Sequence, residues 1–243
     1  MPLELELERW ERRGKSAVFW LRDDDAVEPT GQLDRLLDLA HRHAIPLTLA
    51  VIPKATGTAL VRRLDRAAQV SVAVHGWSHE NHAPAGEKKQ ELGGHRAVDV
   101  VLEELRAGAL RLANLHGERF VSMLVPPWNR IDAALLPHLP EIGYTGVSVF
   151  GPEHPSPIRS VNTHVDLIDW KLTRGGRDPA ALVNEMVVRL RHSIDSDGTV
   201  GILTHHLVHD EKAWSFLERL LCLTSGHPAC RWMAVSDILT GKR

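Results

Sequence analysis

The chain has 243 residues, of which 43% are hydrophobic and 25% charged, with a formal net charge of −2. This is the balance of a soluble globular protein, and it excludes a disordered chain, a collagen or a coiled coil. So small a net charge implies no broad basic surface to follow a phosphate backbone, and nucleic acid is not an expected partner.

The opening MPLELELERWERRGK is charged throughout and has no apolar signal core. No window reaches the 18 or so apolar residues of a membrane span. The expectation is a cytoplasmic protein without a membrane partner. Two cysteines, Cys222 and Cys230, are too few for a disulfide framework and lack the spacing of a metal pair. Fifteen histidines are an excess, which points to metal or acid–base chemistry only where they converge.

In chain order, SAVFWLR (16–22) is an apolar run that stops at a row of acids and reads as a buried strand. Leu33, Leu36, Leu37 and Ala40 give one helix face over 33–44. LTLAVIP (47–53) is the second strand, 58–67 a helix, and VSVAVH (70–75) the third strand. A polar loop covers about 76–95, followed by a helix over 98–117 that ends at Gly117. Then come a strand over 120–127, a short helix over 133–143 and a strand over 144–150. Residues 161–170 are extended but mixed, and Asp178–Pro179 opens a helix over 179–194. TVGILTHH (199–206) is a strand, 213–225 a helix, and 231–240 the closing segment. This alternation implies parallel strands with crossover helices, as in a (β/α) barrel or a doubly wound sheet. No Gly-rich dinucleotide fingerprint or P-loop follows the first strand, which disfavours the second. No linker or internal repeat stands out, so 1–243 is expected to be a single domain.

Function in such folds gathers at the carboxyl ends of strands, and the polar residues fall there. Asp23–Asp24–Asp25 end the first strand, and three adjacent acids repel one another unless something positive lies among them. His75 and His79, four apart, can reach one metal, with His82 three residues further on. A carboxylate from the first strand would complete an Asp/His/His set with a position left open, the layout of a catalytic site. Pro126–Pro127 stiffen the approach to Trp128, Asn129 and Arg130, which read as a groove wall. Asp166, Asp169 and Trp170 follow, then Thr204–His205–His206. His41 and His43 lie two apart on a helix and face different ways, and His206, His209 and Asp210 read as a solvated loop.

Five blocks taken in order resemble the polysaccharide deacetylases, the carbohydrate esterase family 4 group: LRDDDA (21–26), HGWSH (75–79), LVPPWN (124–129), DLIDW (166–170) and ILTHH (202–206). The resemblance implies an α/β, distorted (β/α)7-type barrel. It also implies metal-dependent hydrolysis of a C–N bond, most simply N-deacetylation of an acetamido sugar or a related small substrate, with Zn²⁺ the expected ion. By position, Asp23 is the general base, Asp24, His75 and His79 are the metal ligands, and His205 is the general acid tuned by Asp166 or Asp169. Trp128, Asn129, Arg130, His82 and Asp25 fall on the substrate side. Asp25 stands where the family has Gly, so Asp24/Asp25 is the alternative base–ligand frame. Val125 stands where the family has the arginine that partners the base, with Arg130 a substitute within reach in sequence. The rival expectation is a barrel that binds metal or carbohydrate without turnover.

Overall fold

The computed structural model describes residues 2–196 and 198–242; Met1, Asp197 and Arg243, which the expected domain includes, lie outside the described residues. Helix α1 (Pro2–Arg12) precedes the first strand, where the charged opening suggests no element. Its Leu3, Leu7 and Trp10 are buried, and it packs on α5 (Pro179–Ser193). The strands are β1 (Ala17–Ala26), β2 (Leu47–Val51), β3 (Val70–His75), β4 (Phe120–Val125), β5 (Gly146–Val147), β6 (Arg159–Ser160), β7 (Val165–Asp166), β8 (Thr199–Thr204) and β9 (Cys230–Trp232). All pair in parallel in the order β6-β5-β4-β3-β2-β1-β8-β7, with β9 on the first residues of β1. The sheet curls into the expected distorted (β/α)7-type barrel, open at the seam between β6 and β7.

The crossover helices lie where apolar periodicity places them, with caps that stop them there. Thr30 accepts from the Leu33 amide at the start of α2 (Gly31–Arg42), and Asp178 and Asp210 do the same for α5 and α6 (Glu211–Ser225). Helices α3 (Thr58–Leu64) and α4 (Val98–His116) complete the outer layer. The expected helix over 133–143 is instead two short 3₁₀ segments, Ala133–His138 and Pro140–Ile142. Pro137 and Pro140 each remove a backbone donor there, which breaks an α-helix.

Two apolar cores result. The larger lies between the sheet and the outer helices and takes Phe19, Leu21, Val72, Val74 and Ile202. The smaller fills the barrel with Trp20, Ala50, Ala73, Met123, Val125 and Val161, closed by Val235 and Ile238 of α7 (Val235–Thr240). Strand alternation therefore sends Phe19 and Leu21 outward and Trp20, Arg22 and Asp24 inward. Gly201 on β8 makes room for Trp20, because a Cβ there would lie 2.5 Å from the indole nitrogen.

Near the open seam, Glu153 accepts from Arg189 through both oxygens, at 2.9 and 3.0 Å, and meets His164 Nε2 at 3.1 Å. The Gly201 amide donates to His164 Nδ1, so the ring proton sits on Nε2 and points at Glu153. Burial opposes the ionised carboxylate, but these partners outweigh it and pull its pKa down to about 2. A depressed carboxyl stabilises the fold above its unfolded pKa and loses that contribution as pH falls through the folded one. Glu153→Gln should therefore unfold at lower denaturant than the unaltered chain at pH 7, with the gap closing between about pH 4.5 and 2.

A candidate metal and acid–base site

The barrel mouth gathers three of the strand ends into one cluster. Near the end of β1 the pairing with β2 shifts register between Asp23 and Ala26, and Asp25 takes φ 72°. Such an irregularity turns a side chain out of strict alternation. Asp24 keeps its inward direction, and Asp25 swings to the mouth toward β3.

Asp25 Oδ1 lies 3.1 Å from His75 Nε2 and 3.3 Å from His79 Nε2. Among the described residues this is the one set of three His, Cys, Asp or Glu whose donor atoms lie within 4.8 Å of one another. His75 Nδ1 donates to the Val125 carbonyl at 2.9 Å, which leaves Nε2 with its lone pair toward Asp25 when the ring is neutral. Burial works against the Asp25 carboxylate, but the hydrogen bond and charge of His75 outweigh it and hold the group well below the usual carboxylate range. Two imidazole nitrogens and one carboxylate oxygen suit a borderline divalent ion, Zn²⁺ or Co²⁺. Of the two aspartate frames the sequence leaves open, Asp25 and not Asp24 lies beside both histidine nitrogens.

The loop that carries His79 is held by Glu91, a fully buried residue that sequence reasoning passed over. Its carboxylate accepts from the amides of Trp77, Ser78 and His79, at 3.1, 2.7 and 3.2 Å. Gly76 turns the chain at φ 59°, and a Cβ there would lie 2.1 Å from Glu91 Oε2 and 2.6 Å from Pro127. His79 itself has φ 60°, a conformation a non-glycine residue keeps only when its surroundings impose it. Glu91→Gln replaces an acceptor oxygen with an NH₂ and should weaken zinc binding about 10–100-fold, read by competition with a chelator.

Asp24 is almost wholly buried and paired with Arg22, two residues back on the same inward face. Arg22 Nε lies 2.9 Å from Asp24 Oδ1, and Nη2 donates to Oδ2 at 3.0 Å. The guanidinium also donates to the Ser148 hydroxyl at 2.7 Å and to Asn129 Oδ1 at 2.6 Å. Arg22 therefore sets a buried cation beside Asp24. Arg130 does not, since its Nη1 donates to the Lys89 carbonyl on an exposed loop.

His205 faces the same carboxylate, with Nε2 3.9 Å from Asp24 Oδ2. Trp170 packs edge-on against its ring, centroids 4.7 Å apart, and donates through Nε1 to Asp166 Oδ2 at 2.9 Å. Burial pushes the Asp166 carboxyl up, and the charge of His205 and the hydrogen bonds from Ile168 and Trp170 only partly offset that.

Other expected residues lie elsewhere. Asp23 turns outward and is buried against His206 and Thr204, away from the mouth. Asp169 caps a turn, accepting from the Lys171 and Leu172 amides at 3.1 Å each. The His82 amide donates to the Gln90 carbonyl at 3.0 Å, which ties down its loop, and His82 is not in the metal cluster. Trp128 covers His79, ring centroids 4.3 Å apart, and Asn129 braces Arg22.

No protein-family model matches this sequence, and no curated protein matches it. Solved structures do. A protein assigned as a polysaccharide deacetylase from Mycobacterium smegmatis superposes with a TM-score of 0.72 at 16% identity, covering 95% of this chain and 91% of that one. A family 4 carbohydrate esterase from Streptomyces lividans, in complex with acetate, gives 0.59 at 17% identity over 88% and 90%. A family 4 acetyl xylan esterase from Clostridium thermocellum, holding a cobalt ion, gives 0.56 at 15% identity over 92% and 90%. The chain has the fold of the polysaccharide deacetylases and family 4 carbohydrate esterases.

Proposed function

We propose that the chain is a divergent polysaccharide deacetylase-like enzyme, a metal-dependent hydrolase of C–N bonds. Its most direct substrate is an acetamido sugar or a related small N-acyl compound. The observation that carries this reading is the convergence of an Asp/His/His cluster with a paired carboxylate and a histidine on one barrel mouth. Deacetylases and esterases among the similar structures, one of them holding cobalt, support it.

Asp25, His75 and His79 would hold a divalent ion, most simply Zn²⁺. Such an ion supplies Lewis acidity, which makes water a nucleophile near neutral pH and stabilises charge developing on an acyl oxygen. Asp24, fixed by Arg22, takes the proton from water as its oxygen bonds to the acyl carbon. His205 delivers its own proton to the nitrogen as the C–N bond breaks, giving a carboxylic acid and an amine. Trp170 and Asp166 hold the His205 ring in place. The rival reading, a barrel that binds without turnover, draws on Val125 and loses that support once Arg22 pairs with Asp24.

The test is metal content and N-acetylglucosamine deacetylation, measured on the unaltered chain and on His75→Ala. The expected result is about one metal per chain, lost in the variant together with amine release. A chain that takes up no metal after reconstitution with zinc would overturn the reading.

A further inference from the structure

Three adjacent aspartates end β1, and the proposed function uses two. We propose that the third, Asp23, is a positioning residue for the proton donor His205, acting through the residues on either side of it. This rests on the hydrolase reading above. Asp23 has no solvent exposure and faces outward from the barrel, directly opposite Thr204 in the β1–β8 register. Its Oδ2 accepts from the Thr204 hydroxyl at 2.7 Å and from the His206 amide at 2.9 Å. Its Oδ1 accepts from His206 Nδ1. One carboxylate thus grips both neighbours of His205 where β8 ends. Alternation then fixes the side of the chain on which His205 emerges, toward Asp24 and Trp170.

The chemistry fits a fixed brace. Both Asp23 oxygens are engaged, by the Thr204 hydroxyl, the His206 amide and His206 Nδ1, so the carboxylate has no freedom to turn. His209 stays out of the pair. Burial pushes its pKa down to about 4, and it packs edge-on against Trp214 with centroids 4.4 Å apart. Stability alone does not call for an ion pair at this place, since well-packed apolar residues often serve as well or better. Aiming an adjacent side chain does call for bonds of fixed direction.

The experiment uses the zinc-loaded full chain and two probes. N-acetylglucosamine has a basic leaving amine and needs a proton donor. p-Nitrophenyl acetate releases a stable phenolate and does not. Asp23→Asn should lower kcat for the amide about 100-fold, leave the ester rate within about 3-fold, and keep the zinc content of the unaltered chain. His206→Asn keeps a donor near the Nδ1 position and should retain most of the amide rate, whereas His206→Leu should behave like Asp23→Asn. This second pair decides the matter if Asp23→Asn does not fold. Equal loss of both reactions, loss of zinc, or no loss at all would overturn the role of Asp23 and leave the hydrolase reading standing. Failure of the unaltered chain to hydrolyse either probe would instead overturn the hydrolase reading, and this role with it.

Discussion

Asp25→Ala protein should purify without its metal and show no hydrolysis, while Asp24→Asn should keep the metal and lose about 10²–10⁴-fold in rate, the span of a general base. The two residues are neighbours of the same chemical type, so the contrast tests geometry. Asp25 reaches both histidine nitrogens, at 3.1 and 3.3 Å, whereas Asp24 meets Arg22 and faces His205. Asparagine keeps an acceptor for the guanidinium and limits the damage of leaving a buried cation unpaired. Elemental analysis and initial rates on the same preparations check both halves. Metal loss in the Asp24 variant instead would return the ligand to the first aspartate frame.

Arg22→Met should be the most costly single change near the site. It strands the Asp24 carboxylate in the barrel and frees acceptors on Ser148 and Asn129. Removing one partner of a buried ion pair costs about 3–5 kcal/mol, which in a chain of this size lowers Tm by roughly 10 °C. Activity should fall with it, because the proposed base loses the guanidinium that sets its orientation. Arg22→Lys keeps the charge but cannot reproduce the planar guanidinium that reaches Asp24, Ser148 and Asn129 together, so it should recover more stability than rate. In the double variant Arg22→Met with Asp24→Asn, the losses of Tm should be less than additive, since the two side chains form one unit. Thermal melts of the four proteins close the cycle.

The sequence makes the scaffold plain where physics acts locally. Apolar runs ended by acids, prolines or histidines become β1 to β4 and β8, and Leu33, Leu36, Leu37 and Ala40 become the buried face of α2. Helix α1 is readable from Leu3, Leu7 and Trp10, spaced by four and three, but its many charges obscure the stripe. The site is legible as a place and only partly as an assignment. Simple alternation puts Asp23 and Asp25 on one face, and no residue pattern announces the irregularity that parts them. The DxxDW spacing offers two acids, yet the turn after β7 commits Asp169 to backbone amides. Arg22 does leave a trace, a charged side chain closing an apolar run ahead of three acids, and a buried charge is rare without a partner. Glu91 leaves none. It sits among polar loop residues and differs from them only in being buried.

The barrel floor carries a consequence for how the chain is made. Its interior is sealed by Val235 and Ile238, and β9 completes the edge of β1, so elements far apart in synthesis must meet. A nascent chain therefore emerges with Trp20 and Met123 lacking their cover until the segment that carries α7 has left the ribosome. Such distant closure is slow compared with local pairing. The half-made barrel therefore keeps apolar surface exposed until that later segment docks against it.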